Sequence, residues 1–360
     1  MRFPTATSRL RTALVVGLLL ALAAVGFAVF EAAGDDEAPS NRAYWGAWIG
    51  NQLTGTAPPW DMSALSRFEQ TTEKPVSLLE FAAPFANCSK SPCSRYSFPS
   101  TPFDEIRARG AIPFFSWSSQ SIPSRPDEPD FQLADVVDGS YDSYIRRFAI
   151  SAREWSHPFF LRFDWEMNGN WFPWAERANG NRPGEFVAAW RHVHEIFTSV
   201  GADAVSWVWC PYVDPAGTLQ NLASLYPGDA YVDWTCLDGY NWGTDPASPR
   251  GWRSFDRLFD STYRQITETI APSKPMVVGE TGSTEHGGSK AGWIHDMFES
   301  LPTEFPKIRG LVWFDTYADG MDWPLETSQT ALSSFASGIR NPRYVGNDYG
   351  SISADAIPPP

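Results

Sequence analysis

The stretch Pro158–Trp174 reads PFFLRFDWEMNGNWFPW, and its opening residues carry the fold. Pro158–Trp165 is apolar without alternation, apart from one Arg and one Asp. A strand with a single buried face would alternate, so this run predicts one covered on both faces, as a parallel strand between helices must be. Seven more runs share the pattern: Tyr44–Ile49, Pro75–Ala83, Ala111–Trp117, Ala204–Cys210, Val232–Tyr240, Lys274–Gly279 and Ile308–Phe314. Helical patterns lie between them, at Phe103–Arg109, Tyr141–Trp155, Gly184–Val200, Phe255–Ile270 and Ala291–Leu301. The clearest is Gly184–Val200, with Pro183 near its first turn and Gly201 just past its end. Eight such repeats with no second core predict a closed (β/α)8 TIM barrel as a single domain. No glycine fingerprint for nucleotide phosphates follows the first run, which argues against an open doubly wound sheet.

The barrel is expected over residues 43–343, preceded by a linker at 35–42 and followed by an irregular tail at 344–360. Arg2, Arg9 and Arg11 precede the 19-residue apolar run Thr12–Phe30, and Asp35, Asp36 and Glu37 follow it. Residues 1–34 are therefore read as a signal anchor or a signal peptide, with the body exported beyond the cytoplasm and the membrane touched only through this segment. Cys88 and Cys93, in the polar loop NCSKSPCS, are a disulfide candidate; Cys210 and Cys236 lie in apolar runs and read as two packed thiols. With five His and no ligand-spaced pair, no metal and no cofactor are expected. The net charge of -14 repels phosphate backbones and so excludes nucleic acid as a partner. The 17 Trp suit a neutral polymer, because an indole stacks on the apolar face of a pyranose.

Barrel active sites collect at the C-terminal strand ends, and acidic and aromatic residues gather there. The fourth run leads into Glu166 and Trp171, the sixth into Asp238, Tyr240 and Trp242, the seventh into Glu280, and the eighth into Trp313 and Asp315. Two carboxyl groups flanking a glycosidic bond are what its hydrolysis requires. Glu166 and Glu280 end strands on opposite sides of the mouth. Glu166 precedes a Met-Asn-Gly turn that exposes it, and Glu280 lies between two glycines. Glu80, Asp164, Asp238 and Asp315 are rivals by the same rule, and Asp164 shares the side of Glu166 if the strand stays extended. Residue types alone leave the choice open.

The segment RFDWEMNGNWFPW, followed in order by LDGYNW, VVGETG and LVWFD, resembles glycoside hydrolase family 26 over roughly residues 44–340. The resemblance implies a retaining barrel enzyme with Glu166 as general acid/base and Glu280 as nucleophile. It also implies that Arg162 braces the site, Trp171 walls the acid/base, Tyr240 bonds the nucleophile with Asp238 behind it, and Trp313 floors the cleavage point. Trp165, Asn168 and Trp242 complete the candidate sugar-binding set. Many mannanases of that family carry His immediately before the acid/base, where it can bond the sugar near O2; here the residue is Trp165, which offers one donor and no acceptor. The expected activity is endo-hydrolysis of a β-linked polysaccharide by a monomeric catalytic domain, with β-1,4-mannan first and mixed-linkage β-glucan or a bacterial exopolysaccharide as competitors. A non-catalytic polysaccharide-binding barrel is the remaining alternative.

Overall fold

The computed structural model describes residues 41–360, except 245–249, 348 and 353–355. The apolar segment expected to target or anchor the chain lies outside the described residues. Among those described, no helix is long and apolar enough to cross a membrane. Eight parallel strands close into a barrel: β1 (Tyr44–Ile49), β2 (Leu78–Asn87), β3 (Ile112–Ile122), β4 (Phe159–Phe163), β5 (Val205–Trp209), β6 (Trp234–Asn241), β7 (Met276–Ser283) and β8 (Ile308–Asp315). Each pairs with its sequence neighbours, and β1 closes the ring by pairing with both β8 and β2. A two-residue strand, Ser94–Arg95, adds an antiparallel rung to the end of β2.

The eight predicted runs become the eight barrel strands, with shifted ends. β2 and β3 continue past Ala83 and Trp117, to Asn87 and Ile122, while β4 stops at Phe163, two residues short of the expected Trp165. The helix Glu185–Val200 forms where its pattern predicts. Phe186, Ala189, Trp190, Val193, Ile196 and Phe197 make one buried stripe, and Gly201, at φ 74°, takes the left-handed conformation that closes the last turn. Two helices that no pattern announced, Met62–Thr72 and Gln329–Ile339, cover β1 and β8. Between β5 and β6 the described chain makes 3-10 turns, Leu222–Ser224 and Asp229–Tyr231, in place of an α-helix.

The described residues of the tail are packed. Tyr344 and Val345 are buried, and the Val345 N–H bonds the Ala43 carbonyl. Ile357 is 2% exposed; its N–H donates to Ser206 Oγ at 2.7 Å, and its carbonyl accepts from Trp234 Nε1 at 2.8 Å. The compact unit thus runs over residues 41–360, past the boundary expected at 343. Cys88 and Cys93 are joined, as their spacing predicted. Cys210 and Cys236 are joined as well, which corrects the reading of two packed thiols. They are 26 residues apart in sequence, but the pairing of β5 with β6 brings their Cα atoms to 4.2 Å.

Candidate active site

The turn that ends β4 places the first carboxylate. Asp164 and Glu166 both adopt left-handed backbone, at φ 43° and 54°, a conformation costing non-glycine residues on the order of 1–3 kcal/mol each. Neighbouring strands hold it in place. The Asp164 N–H bonds the Trp117 carbonyl at 3.1 Å, the Glu166 N–H bonds the Cys210 carbonyl at 2.7 Å, and Trp174 Nε1 donates to the Trp165 carbonyl at 2.6 Å. The expectation that Asp164 and Glu166 share a side is corrected, because the strand does not stay extended. Asp164 turns to β3 and accepts from both the N–H and the Oγ of Ser119, each at 2.7 Å. Burial pushes its carboxyl up to about 7, against those two bonds.

Glu166 is 7% exposed and faces the cleft, where Oε2 accepts from Trp171 Nε1 at 2.5 Å. Burial, and next the charge of Glu280, raise its carboxyl to about 8, while the Trp171 bond pulls the other way. A carboxyl held protonated near neutrality is what a general acid needs.

Glu280 owes its position to a bulge. Leu237 pairs with Val278 and Asp238 with Glu280, which leaves Gly279 as an extra residue in β7. A Cβ at Gly279 would sit 2.5 Å from Cys236 Sγ and 2.9 Å from Arg162 Nη1, so only glycine fits there. The Glu280 carboxylate accepts from Arg162 Nη2 on one oxygen and from the Tyr240 hydroxyl on the other. Arg162 is fully buried, and its Nη1 also lies 3.1 Å from Asp238 and 3.3 Å from Glu80. Burial would lower the guanidinium's pKa, but the carboxylates of Asp238, Glu80 and Glu280 together raise it. Burial drives Glu80 up to about 8 and Asp238 well above the usual carboxylate range, with Arg162 opposing both.

One carboxylate oxygen from each of Glu166, Glu280 and Asp238 lies within 4.8 Å of the others. Were a cation to bind among the described residues, these three would be its ligands. The Arg162 guanidinium already supplies positive charge to two of them, so the donor set does not call for a metal. Glu166 and Glu280 open onto a cleft of about 660 Å³ walled by Trp48, Trp165, Trp171, Phe172, Tyr212, Tyr240, Trp242, Phe314 and Trp323.

The structure brings Trp165, Trp171, Tyr240 and Trp242 to this cleft from the predicted sugar-binding set. Three others are corrected. Trp313 is wholly buried on the outer face of β8 against Trp293 and Phe335, because alternation along the strand turns Phe314 inward in its place. Asn168 is also buried and braces a loop, donating to the Tyr212 carbonyl and accepting from the Tyr212 N–H, both at 2.8 Å. Arg162 lies behind Glu280, out of reach of a sugar. Trp48, Phe172, Tyr212, Phe314 and Trp323 were missed. Trp48 and Phe314 end two predicted strands and follow from their parity; Trp323 sits in a loop and carries no such signal.

A closed parallel barrel with two facing carboxylates over an aromatic cleft defines the barrel glycoside hydrolase class. Residues 141–281 match the family model described as Glycosyl hydrolase family 26. The chain is 30% identical to Endoglucanase H of Acetivibrio thermocellus over 331 residues, which are 91% of this chain and 33% of that protein. It is 27% identical to a mannan endo-1,4-beta-mannosidase of Bacillus subtilis over 144 residues, 38% of this chain and 34% of that one. The chain thus spans about a third of the length of these curated relatives. A Cellulomonas fimi endo-beta-1,4-mannanase double mutant shares the fold at a TM-score of 0.64 and 17% identity, covering 89% of this chain and 76% of that one.

Proposed function

We propose that the protein is a retaining endo-β-glycanase, with Glu166 as acid/base and Glu280 as nucleophile. The observation that carries this reading is the facing of the two carboxyl groups, with oxygens within 4.8 Å of each other. Retaining enzymes hold their carboxyls roughly 5–5.5 Å apart, and inverting ones hold them farther apart to admit a water. In the first step Glu280 attacks the anomeric carbon from the face opposite the leaving group. The Glu166 proton passes to the glycosidic oxygen as its bond to that carbon breaks. Esterification removes the charge of Glu280, so the Glu166 carboxyl falls in pKa. It then takes a proton from the water that displaces Glu280. Arg162 and Tyr240 hold the Glu280 carboxylate on the line of attack.

The substrate we assign is a β-linked glucan, ahead of the mannan that the family resemblance puts first. Trp165 stands where a mannanase histidine would meet O2, and its ring is packed against Phe172 and Trp174 with the Arg162 guanidinium 4.8 Å from its centre. That wall offers no acceptor to an axial O2, while an equatorial O2 keeps the sugar flat against it. The name of the relative aligned over 91% of this chain, an endoglucanase, supports the same choice. The two joined cysteine pairs suit an oxidising compartment, and we assign the domain an extracytoplasmic site of action as a monomer.

The test is a panel of mixed-linkage β-glucan, galactomannan, xylan and cellulose, with the anomeric configuration of the first product read by NMR. Cleavage of mixed-linkage glucan with retention, lost in Glu280→Ala and partly restored to that variant by azide, is the expected result. Mannan as the only substrate overturns the glucan assignment. Inversion, or an active Glu280→Ala protein, overturns the mechanism.

A further inference from the structure

Beside the catalytic cleft, and sharing Trp171, Tyr212, Tyr240, Trp242 and Arg250 with it, lies a second hollow of about 490 Å³ that Glu280 does not line. Trp171 is the residue bonded to the acid/base, so this hollow adjoins the cleft at its acid/base side. Two arginines, Arg250 and Arg253, form part of its wall. The Arg250 guanidinium lies 4.2 Å from the centre of the Trp242 ring, and Trp242 is fixed in turn by its bond to the Tyr212 hydroxyl at 3.0 Å. The backbone of Arg253 is tied at both ends: its N–H donates to Asn241 Oδ1 at 2.9 Å, and its carbonyl accepts from Trp293 Nε1 at 2.8 Å.

Neither arginine forms an ion pair with a carboxylate among the described residues. Asp214, the carboxylate that lines the same hollow, is turned into its own loop, where it accepts from the N–H groups of Thr218 and Leu219 at 2.9 and 2.8 Å. In a chain of net charge -14, Arg250 on the aromatic wall and Arg253 beside it, neither paired with an acid among the described residues, concentrate positive potential at one place.

We propose that this hollow is a leaving-group subsite for a carboxylate-bearing sugar, so that the preferred glycan carries uronate residues on the leaving-group side of the scissile bond. The aromatic wall of Tyr212 and Trp242 takes the pyranose face, and the guanidinium groups take the carboxylate. This rests on the glycanase reading above and adds a charge requirement to it.

The experiment titrates the silenced Glu280→Ala protein with oligosaccharides of a β-glucan and of the same glucan oxidised at C6 to glucuronate. Both titrations are run at about 20 mM and about 500 mM salt, which span weak and strong screening. The oxidised ligand is expected to bind roughly five- to tenfold tighter at low salt, as two partly exposed charge pairs allow. That preference should vanish at high salt and in the Arg250→Gln/Arg253→Gln protein. Equal binding of the two ligands at low salt, or a preference that survives the double substitution, overturns the proposal. Should the double variant fail to fold, the salt response of the Glu280→Ala protein alone decides. Hydrolysis by the unsubstituted protein is measured alongside. A charge preference without hydrolysis of either polymer sinks the glycanase reading and leaves the subsite standing.

Discussion

Trp171 donates its indole N–H to Glu166 at 2.5 Å, so the aromatic wall of the cleft and the acid/base are joined by one bond within a single turn. The bond stabilises the ionised carboxylate and opposes the burial that raises it. Trp171→Phe keeps the wall and removes the donor. The Glu166 carboxyl should then rise above about 8, carrying the alkaline limb of the kcat/KM profile upward. A lost bond to a charged group, worth about 1.5–3 kcal/mol, predicts a kcat roughly 10- to 100-fold lower. An unmoved alkaline limb would mean that Trp171 only shapes the cleft.

Arg162 is shared among Glu280, Asp238 and Glu80. Lys in its place supplies one point charge and cannot fork between partners. Arg162→Lys should lower kcat by two orders of magnitude or more and destabilise the fold by about 3 kcal/mol, since it breaks buried pairs. Steady-state kinetics and denaturant melts check both.

The Asp164 carboxyl is raised by burial to about 7, far above an unfolded Asp. A proton held more tightly in the folded state means that stability falls as pH rises, here from about 4 to about 7. Asn fits the site, accepting from the Ser119 N–H and donating to its Oγ. Asp164→Asn should therefore fold and flatten the decline of Tm across that window. An unchanged slope would place the titration elsewhere.

The bond between Cys210 and Cys236 closes a 26-residue separation, against five for Cys88 and Cys93. Chain entropy predicts a loss of about 3.5 kcal/mol for the first pair replaced by Ser and about 2 kcal/mol for the second. Urea melts of the two double variants should rank in that order.

The strands were legible because each is buried on both faces, and an unbroken apolar run is the signature of that burial. Gly184–Val200 was legible for a related reason: one buried stripe between Pro183 and Gly201 marks a helix by itself. The helices Met62–Thr72 and Gln329–Ile339 were missed because their buried positions are few and set among Ser, Thr and Gln, so they are defined by what packs on them. The tail's docking beneath the barrel depends on Trp234 and Ser206, more than a hundred residues away, and left no local trace.

The sequence by itself determined the barrel and drew attention to Glu166 and Glu280, because strand burial and strand-end acidity are periodic, local properties of the chain. Only the tertiary structure decided which neighbours serve them. The left-handed turn at Asp164 sends one carboxylate to Ser119 and the next to the cleft. The bulge at Gly279 re-aims Glu280. The parity of β8 exchanges Trp313 for Phe314. Each of these depends on atoms supplied by another strand, and contacts across strands have no period that a linear reading could detect.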